Sequence, residues 1–107
     1  MKFLTISQVK DAAALCPPDI MRQLMEATIA WLDGVKKSGK LLEFYAISDG
    51  RYVAICEERS ADDAIKTLAS CPTAAFMHNE VYALADGTAP MKVFIENLKQ
   101  AEKLAKK

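Results

Sequence analysis

The stretch from Leu41 to Glu57 constrains the chain most. It reads as two strands, LLEFYAIS and RYVAICE, joined by Asp49-Gly50. Both flanks are rich in aromatic and β-branched residues, and Asp-Gly supplies the two positive-φ residues of a type I′ hairpin. In the first strand Leu42, Phe44 and Ala46 alternate with Leu41, Glu43, Tyr45 and Ile47; in the second, Val53 and Ile55 alternate with Tyr52, Ala54 and Cys56. Neither set is purely polar, whereas a sheet with one solvated face shows cleaner alternation. The hairpin is therefore expected at the centre of a sheet covered on both faces, one by helices and the other by something else.

The rest of the chain supplies partners for it. Lys2 to Ser7 alternates, with Phe3 and Thr5 on one side and Leu4 and Ile6 on the other, as a first strand does. Gln8 to Cys16 is a connection that Asp11-Ala-Ala-Ala-Leu15 makes partly helical. Pro17-Pro18 then suits the first turn of a long helix reaching about Lys37. Its apolar residues form two stripes: Ile20, Leu24, Ala27, Trp31 and Val35, and beside them Met21, Met25, Ile29 and Leu32. Together they exceed the roughly 100° face that packing on one sheet requires. The surplus fits either a neighbouring helix of the same chain or a subunit contact. Ser60 N-caps a short helix, with Asp63 three residues on, whose buried stripe is Ala61, Ala64, Ile65 and Leu68. Phe76 to Leu84 reads as a fourth strand, with Met77, Asn79, Val81 and Ala83 facing one way and His78, Glu80, Tyr82 and Leu84 the other. Asp86-Gly87 turns the chain, Thr88 can cap, and Pro90 opens a last helix with the stripe Met91, Phe94, Ile95, Leu98 and Ala105. Lys103, Lys106 and Lys107 close it, where cations complement the helix dipole.

Strand, helix, strand, strand, helix, strand, then an extra helix is the split βαβ order. The expected fold is α+β: a ferredoxin-like βαββαβ domain with a four-stranded antiparallel sheet and an added C-terminal helix, one domain over residues 1–107. Right-handed crossovers put the first two helices on one face. The other face, carrying residues such as Tyr45 or Phe44, Tyr52 and His78, is then bare. Burying it on a second copy gives a two-fold dimer, a dimeric α+β barrel.

Charge and cysteines exclude several classes. Fourteen basic residues balance fourteen acidic ones, so nothing favours nucleic acid. No apolar run approaches the ~20 residues that span a bilayer, and MKFLTISQVKD has no signal-peptide character. A cytoplasmic protein is expected. Cys16, Cys56 and Cys71 are widely spaced, with no CxxC pair and a single histidine, so reduced thiols and no metal site are expected. No Gly-rich phosphate loop appears.

The second half, Leu42 to Leu84, resembles muconolactone isomerase and its relatives among the dimeric α+β barrels. The resemblance lies in the strand pair around Gly50, the helix Ser60-Ala-Asp-Asp-Ala-Ile-Lys-Thr-Leu68, then Cys71-Pro72, Phe76-Met77 and Glu80-Val81, ending at Leu84. It implies a cofactor-independent isomerase that moves a proton on a small lactone or organic acid, in a homodimer or higher homo-oligomer. The chain departs from the family where Leu41-Leu-Glu-Phe-Tyr-Ala-Ile47 carries an acid and none of the family's basic or Trp residues, and in its long C-terminal helix.

Proton transfer beside a carbonyl needs a base and an opposing acid. The catalytic candidates are Glu80, which lies in the matching stretch, His78 and Glu43. Tyr45 and Tyr52 are candidates for substrate binding. His78 and Glu80, two apart, share one face of a strand. Each has a plainer reading: a surface histidine, a carboxylate paired with a lysine, a solvated edge glutamate, tyrosines in the core or an interface. The alternative function is accordingly a non-catalytic dimeric module that binds a small ligand or simply assembles.

Overall fold

A computed structural model of the chain describes residues 1–106; Lys107 lies outside the described residues. The strands are β1 (Lys2–Val9), β2 (Leu41–Ala46), β3 (Tyr52–Glu57) and β4 (Met77–Ala83), and the helices are α1 (Pro18–Lys37), α2 (Ala61–Ala69) and α3 (Thr88–Ala105). They form a four-stranded sheet in the order β2-β3-β1-β4, antiparallel throughout. This is the ferredoxin-like α+β fold. No helix of the described residues is long and apolar enough to cross a membrane.

The hairpin is only half central, since β3 lies inside the sheet and β2 at its edge. Its turn also differs from a two-residue type I′ turn. Asp49 does not adopt positive φ; Gly50 alone does, at 92°. Gly50 N–H donates to Ile47 O (3.0 Å) and Ile47 N–H donates to Arg51 O (2.7 Å). These two bonds close a three-residue loop whose left-handed glycine takes the bulge position. Asp49 serves otherwise: its carboxylate accepts from Arg51 N–H (3.1 Å) and Nε (2.8 Å), which holds its pKa below the ordinary value.

Pairing assigns the faces. Thr5 sits opposite Ala54 and Val81, so Phe3, Thr5, Ser7, Tyr52, Ala54, Cys56, Asn79 and Val81 share one face. A register shift between Leu41 and Glu43 re-phases β2, so that buried Leu41 and Phe44 both join it. Helices α1 and α2 cover this face. Trp31 Nε1 donates to Ser70 Oγ (2.9 Å), and the Thr28 hydroxyl lies 3.2 Å from that of Thr73, tying α1 to the end of α2. Ser60 caps α2 as its sequence suggests, accepting from Asp63 N–H at 3.2 Å.

The inward face of α1 is Met21, Leu24, Thr28, Trp31, Leu32 and Val35, which mixes the two expected stripes. Ile20, Met25 and Ile29 point outward and no helix of this chain lies over them. Ile65 of α2, placed in the buried stripe by its spacing, is 54% exposed. Ala64 and Leu68 face inward as their spacing suggests, but the inner face is completed by Asp63 and Thr67 rather than by Ala61 and Ile65. Gly87, rather than Thr88, is the N-cap of α3, and the Asp86 carboxylate before it accepts from Thr88 N–H (3.0 Å) and from the Thr88 hydroxyl. No element packs extensively along α3.

Gly50→Ala is expected to destabilise the fold by about 1–2 kcal/mol, since a Cβ disfavours left-handed backbone. Gly87→Ala, at φ −63° with nothing near the new methyl, is expected to be close to neutral. Urea denaturation of the two variants checks the difference.

Candidate functional site

The folded body holds two groups of chemistry-bearing residues, one on each face of the sheet. Beneath the helices lies a cavity of about 70 Å³. Phe44 and Tyr52 form one wall. Their rings are stacked, with centroids 5.6 Å apart and planes inclined by 5°. Trp31 and Leu32 of α1 and Leu68 of α2 also line it. The stack exists because regular pairing next to the turn, Phe44 opposite Ala54 and Ala46 opposite Tyr52, puts Phe44 on the same face as Tyr52. The lining is mostly apolar, with Thr5, Ser7, Lys40, Cys56, Glu58 and Thr67 as its polar margin.

Glu58 follows β3 directly and is 8% exposed. The Thr67 hydroxyl donates to its Oε1 at 2.7 Å. Its backbone is fixed as well, since Glu58 N–H donates to Met1 O (2.9 Å). Glu58 thus sets a carboxylate, largely shielded from water, at the edge of an apolar cavity. It also acts on its neighbour: burial first, and then the Glu58 charge, push the Cys56 thiol up, against the Thr5 hydroxyl, which lowers it. Cys56 is thus a neutral thiol at physiological pH and no nucleophile.

The opposite face carries Leu4, Ile6, Val53 and Ile55 in its middle, with Glu43 and Tyr45 on the β2 edge and His78, Glu80 and Tyr82 on the β4 edge. The Tyr82 hydroxyl donates to Glu80 Oε2 at 2.7 Å, which raises the phenol's pKa, and His78 Nε2 lies 3.9 Å from Glu80 Oε1. All five edge residues are exposed.

The sequence-derived candidates therefore divide. His78 and Glu80 are together. Glu43 and Tyr45 are together on the opposite edge, three strand spacings or about 14 Å away. Tyr52, expected on the bare face, belongs instead to the helix-covered one, because it pairs with Ser7 and Ala46. Phe44 joins it there. No single cavity of one chain holds all five. The residues that sequence reasoning did not select are Trp31, Phe44 and Glu58 in the cavity and Tyr82 on β4. Alternation already placed Tyr82 beside Glu80; nothing local distinguishes Glu58 from the other acids of Glu57-Glu58-Arg59. Among the described residues no cluster of His, Cys, Asp and Glu could hold a metal ion.

No protein-family profile matches the chain, and no curated protein sequence matches it. Solved structures do. Muconolactone isomerase superposes with a TM-score of 0.69 over 80% of this chain and 90% of its own, at 20% identity. The 5-chloro-2-hydroxyhydroquinone dehydrochlorinase of Burkholderia phenoliruptrix, solved with 2,5-dihydroxybenzoquinone, superposes with a TM-score of 0.61 over 83% of this chain and 98% of its own, at 17% identity. The chain has the muconolactone isomerase-like fold.

Alkylation of Cys56 by iodoacetamide, followed peptide by peptide, is expected to reach half its maximal rate at a pH above the ~8.5 of a free thiol. Glu58→Gln is expected to bring that midpoint down but to leave it above the free-thiol value, since burial is the larger cause.

Proposed function

We propose that the protein binds a small, flat organic acid or lactone in the cavity between sheet and helices, and moves a proton on it without a metal or organic cofactor. The supporting observation is an apolar cavity walled by the Phe44–Tyr52 stack and Trp31, with the Glu58 carboxylate at its margin. A planar ring gains about 0.5–1.5 kcal/mol from each aromatic contact beyond its area burial. In this reading Tyr52 contacts the substrate. Glu58 takes a proton from the carbon beside the carbonyl and returns it to another carbon, so the net change is an isomerisation. The fold shared with muconolactone isomerase makes a lactone the first compound to try.

The protein acts as a homodimer or higher homo-oligomer, joined through the bare face, in a reducing compartment such as the cytoplasm that suits its free cysteines. Joining through that face opens a second reading, favoured by the Tyr82–Glu80–His78 chain. Tyr45 is level with Glu80 across the sheet, and Glu43 with Tyr82. A two-fold axis parallel to the strands lays each β4 edge over the β2 edge of a second copy. Glu80 then meets Tyr45 of that copy and Tyr82 meets its Glu43, with His78 beside Glu80, and Glu80 becomes the base.

Trp31 is the sole tryptophan and lines the cavity, so its fluorescence reports binding directly. Titration with muconolactone or 2,5-dihydroxybenzoquinone is expected to quench it, and Phe44→Ala to weaken that binding about tenfold. Glu58→Gln is expected to lower muconolactone turnover by about 100-fold or more, the usual worth of a general base, while Glu80→Gln leaves turnover unchanged. The reverse result selects the second reading. A native protein whose fluorescence answers neither compound and that turns over no lactone leaves the assembly module as the function.

A further inference from the structure

We propose that α3 is exchanged between two copies of this chain, each packing its apolar stripe into the groove that the other leaves open between α1 and the β2 edge. The inference rests on the homodimeric part of the reading above and adds what covers the arm.

The chain is far too extended to be complete alone. Its radius of gyration is 19.6 Å and its longest dimension 72 Å, against about 13 Å for a folded domain of this length. It exposes 7887 Å², some 2,000 Å² more than the ~5,900 Å² typical of a compact chain of this mass. That excess is the size of a large, stable interface. Much of it is α3. Met91, Phe94, Ile95 and Leu98, at i, i+3, i+4 and i+7, form one stripe, and each is between 47% and 65% exposed.

The receiving surface is equally unfinished. A groove of about 580 Å³ runs along β2 beside α1, lined among others by Ile29, Leu42 and Phe44, all exposed. Asp33, Lys36 and Glu43 also line it, while Lys92 and the Glu96–Lys99 pair lie beside the α3 stripe. An apolar strip with charges of both signs at its margins is therefore common to the two.

The occupant is a second copy for two reasons. The described chain buries only Phe3, Leu41, Ala54 and Ala64 among its hydrophobic residues. So small a core needs a permanent cover, present in equal amount wherever the chain is made, and the chain itself meets that condition. The register supplies the geometry. Ala83, where β4 ends, is level with Leu41, where β2 begins, because both align with the Phe3–Cys56 pair. With the two-fold axis parallel to the strands, each α3 leaves its own body beside the groove of the other copy.

Sedimentation of the full chain tests the assembly. The native protein is expected to be dimeric or larger, and Phe94→Glu with Leu98→Glu to weaken association on the order of 100-fold or more. Gln100→Glu, off the stripe, is expected to leave it unchanged. To avoid reliance on a variant that misfolds, p-benzoylphenylalanine replaces Phe94 in an otherwise native chain, and unlabelled and nitrogen-15 chains are mixed before irradiation. Cross-links between labelled and unlabelled chains, into α1 or β2, are expected. Cross-links within one chain, between two α3 helices, or to nothing overturn the exchange. A native monomer overturns both the exchange and the dimer; a dimer indifferent to the two glutamates overturns the exchange alone.

Discussion

Everything in this structure follows from a sheet whose two faces are both apolar in a chain whose helices cover only one. Phe3, Thr5 and Ala54 are sealed under α1 and α2, while Leu4, Ile6, Val53 and Ile55 stand on the reverse of the same strands. Burial of apolar area is the dominant favourable term in folding, and half of this sheet's share is unclaimed within one subunit. The outer residues of α1 and the whole stripe of α3 extend the same imbalance. The fold is a set of surfaces finished on one side only.

That imbalance was visible in the residues, because period-2 alternation without a polar phase is a direct statement about two-sided burial. The order of elements and the handedness of their crossovers then left few ways to connect them. Less legible were features where tertiary pairing decides. A one-residue slip in β2 moves Leu41 across the sheet, and no local propensity announces it. The Asp49-Gly50 pair signals a tight turn, yet two turn geometries use that dipeptide, and the backbone adopted the one in which only glycine is left-handed. The two stripes of α1 are equally apolar, and only docking on the sheet selects Met21, Leu24, Thr28 and Trp31 for the inner set.

The chemistry was harder to read than the fold for a related reason. Titratable residues on an edge strand stand out in a sequence because they interrupt an apolar pattern, as Glu43, His78 and Glu80 do. A carboxylate such as Glu58 sits among other acids and is distinguished by what surrounds it: the Thr67 hydroxyl and an apolar cavity. The ring of Tyr52 matters through Phe44, a diagonal neighbour on the next strand that only the pairing of β2 with β3 brings to the same face.

The irregularity in β2 therefore acts as a phase change. Upstream of it the strand seals the floor beneath α1 with Leu41; downstream it offers Phe44 to the cavity and Tyr45 to the outer world. Loop variation at Ser48 or Asp49 lies outside that step and leaves the inside and outside of β2 where they are. Lengthening or shortening the strand by one residue beyond it would exchange them, turning a cavity wall into an outer surface while every neighbouring strand stayed in place. The parity of one short edge segment decides which side of this molecule is dry.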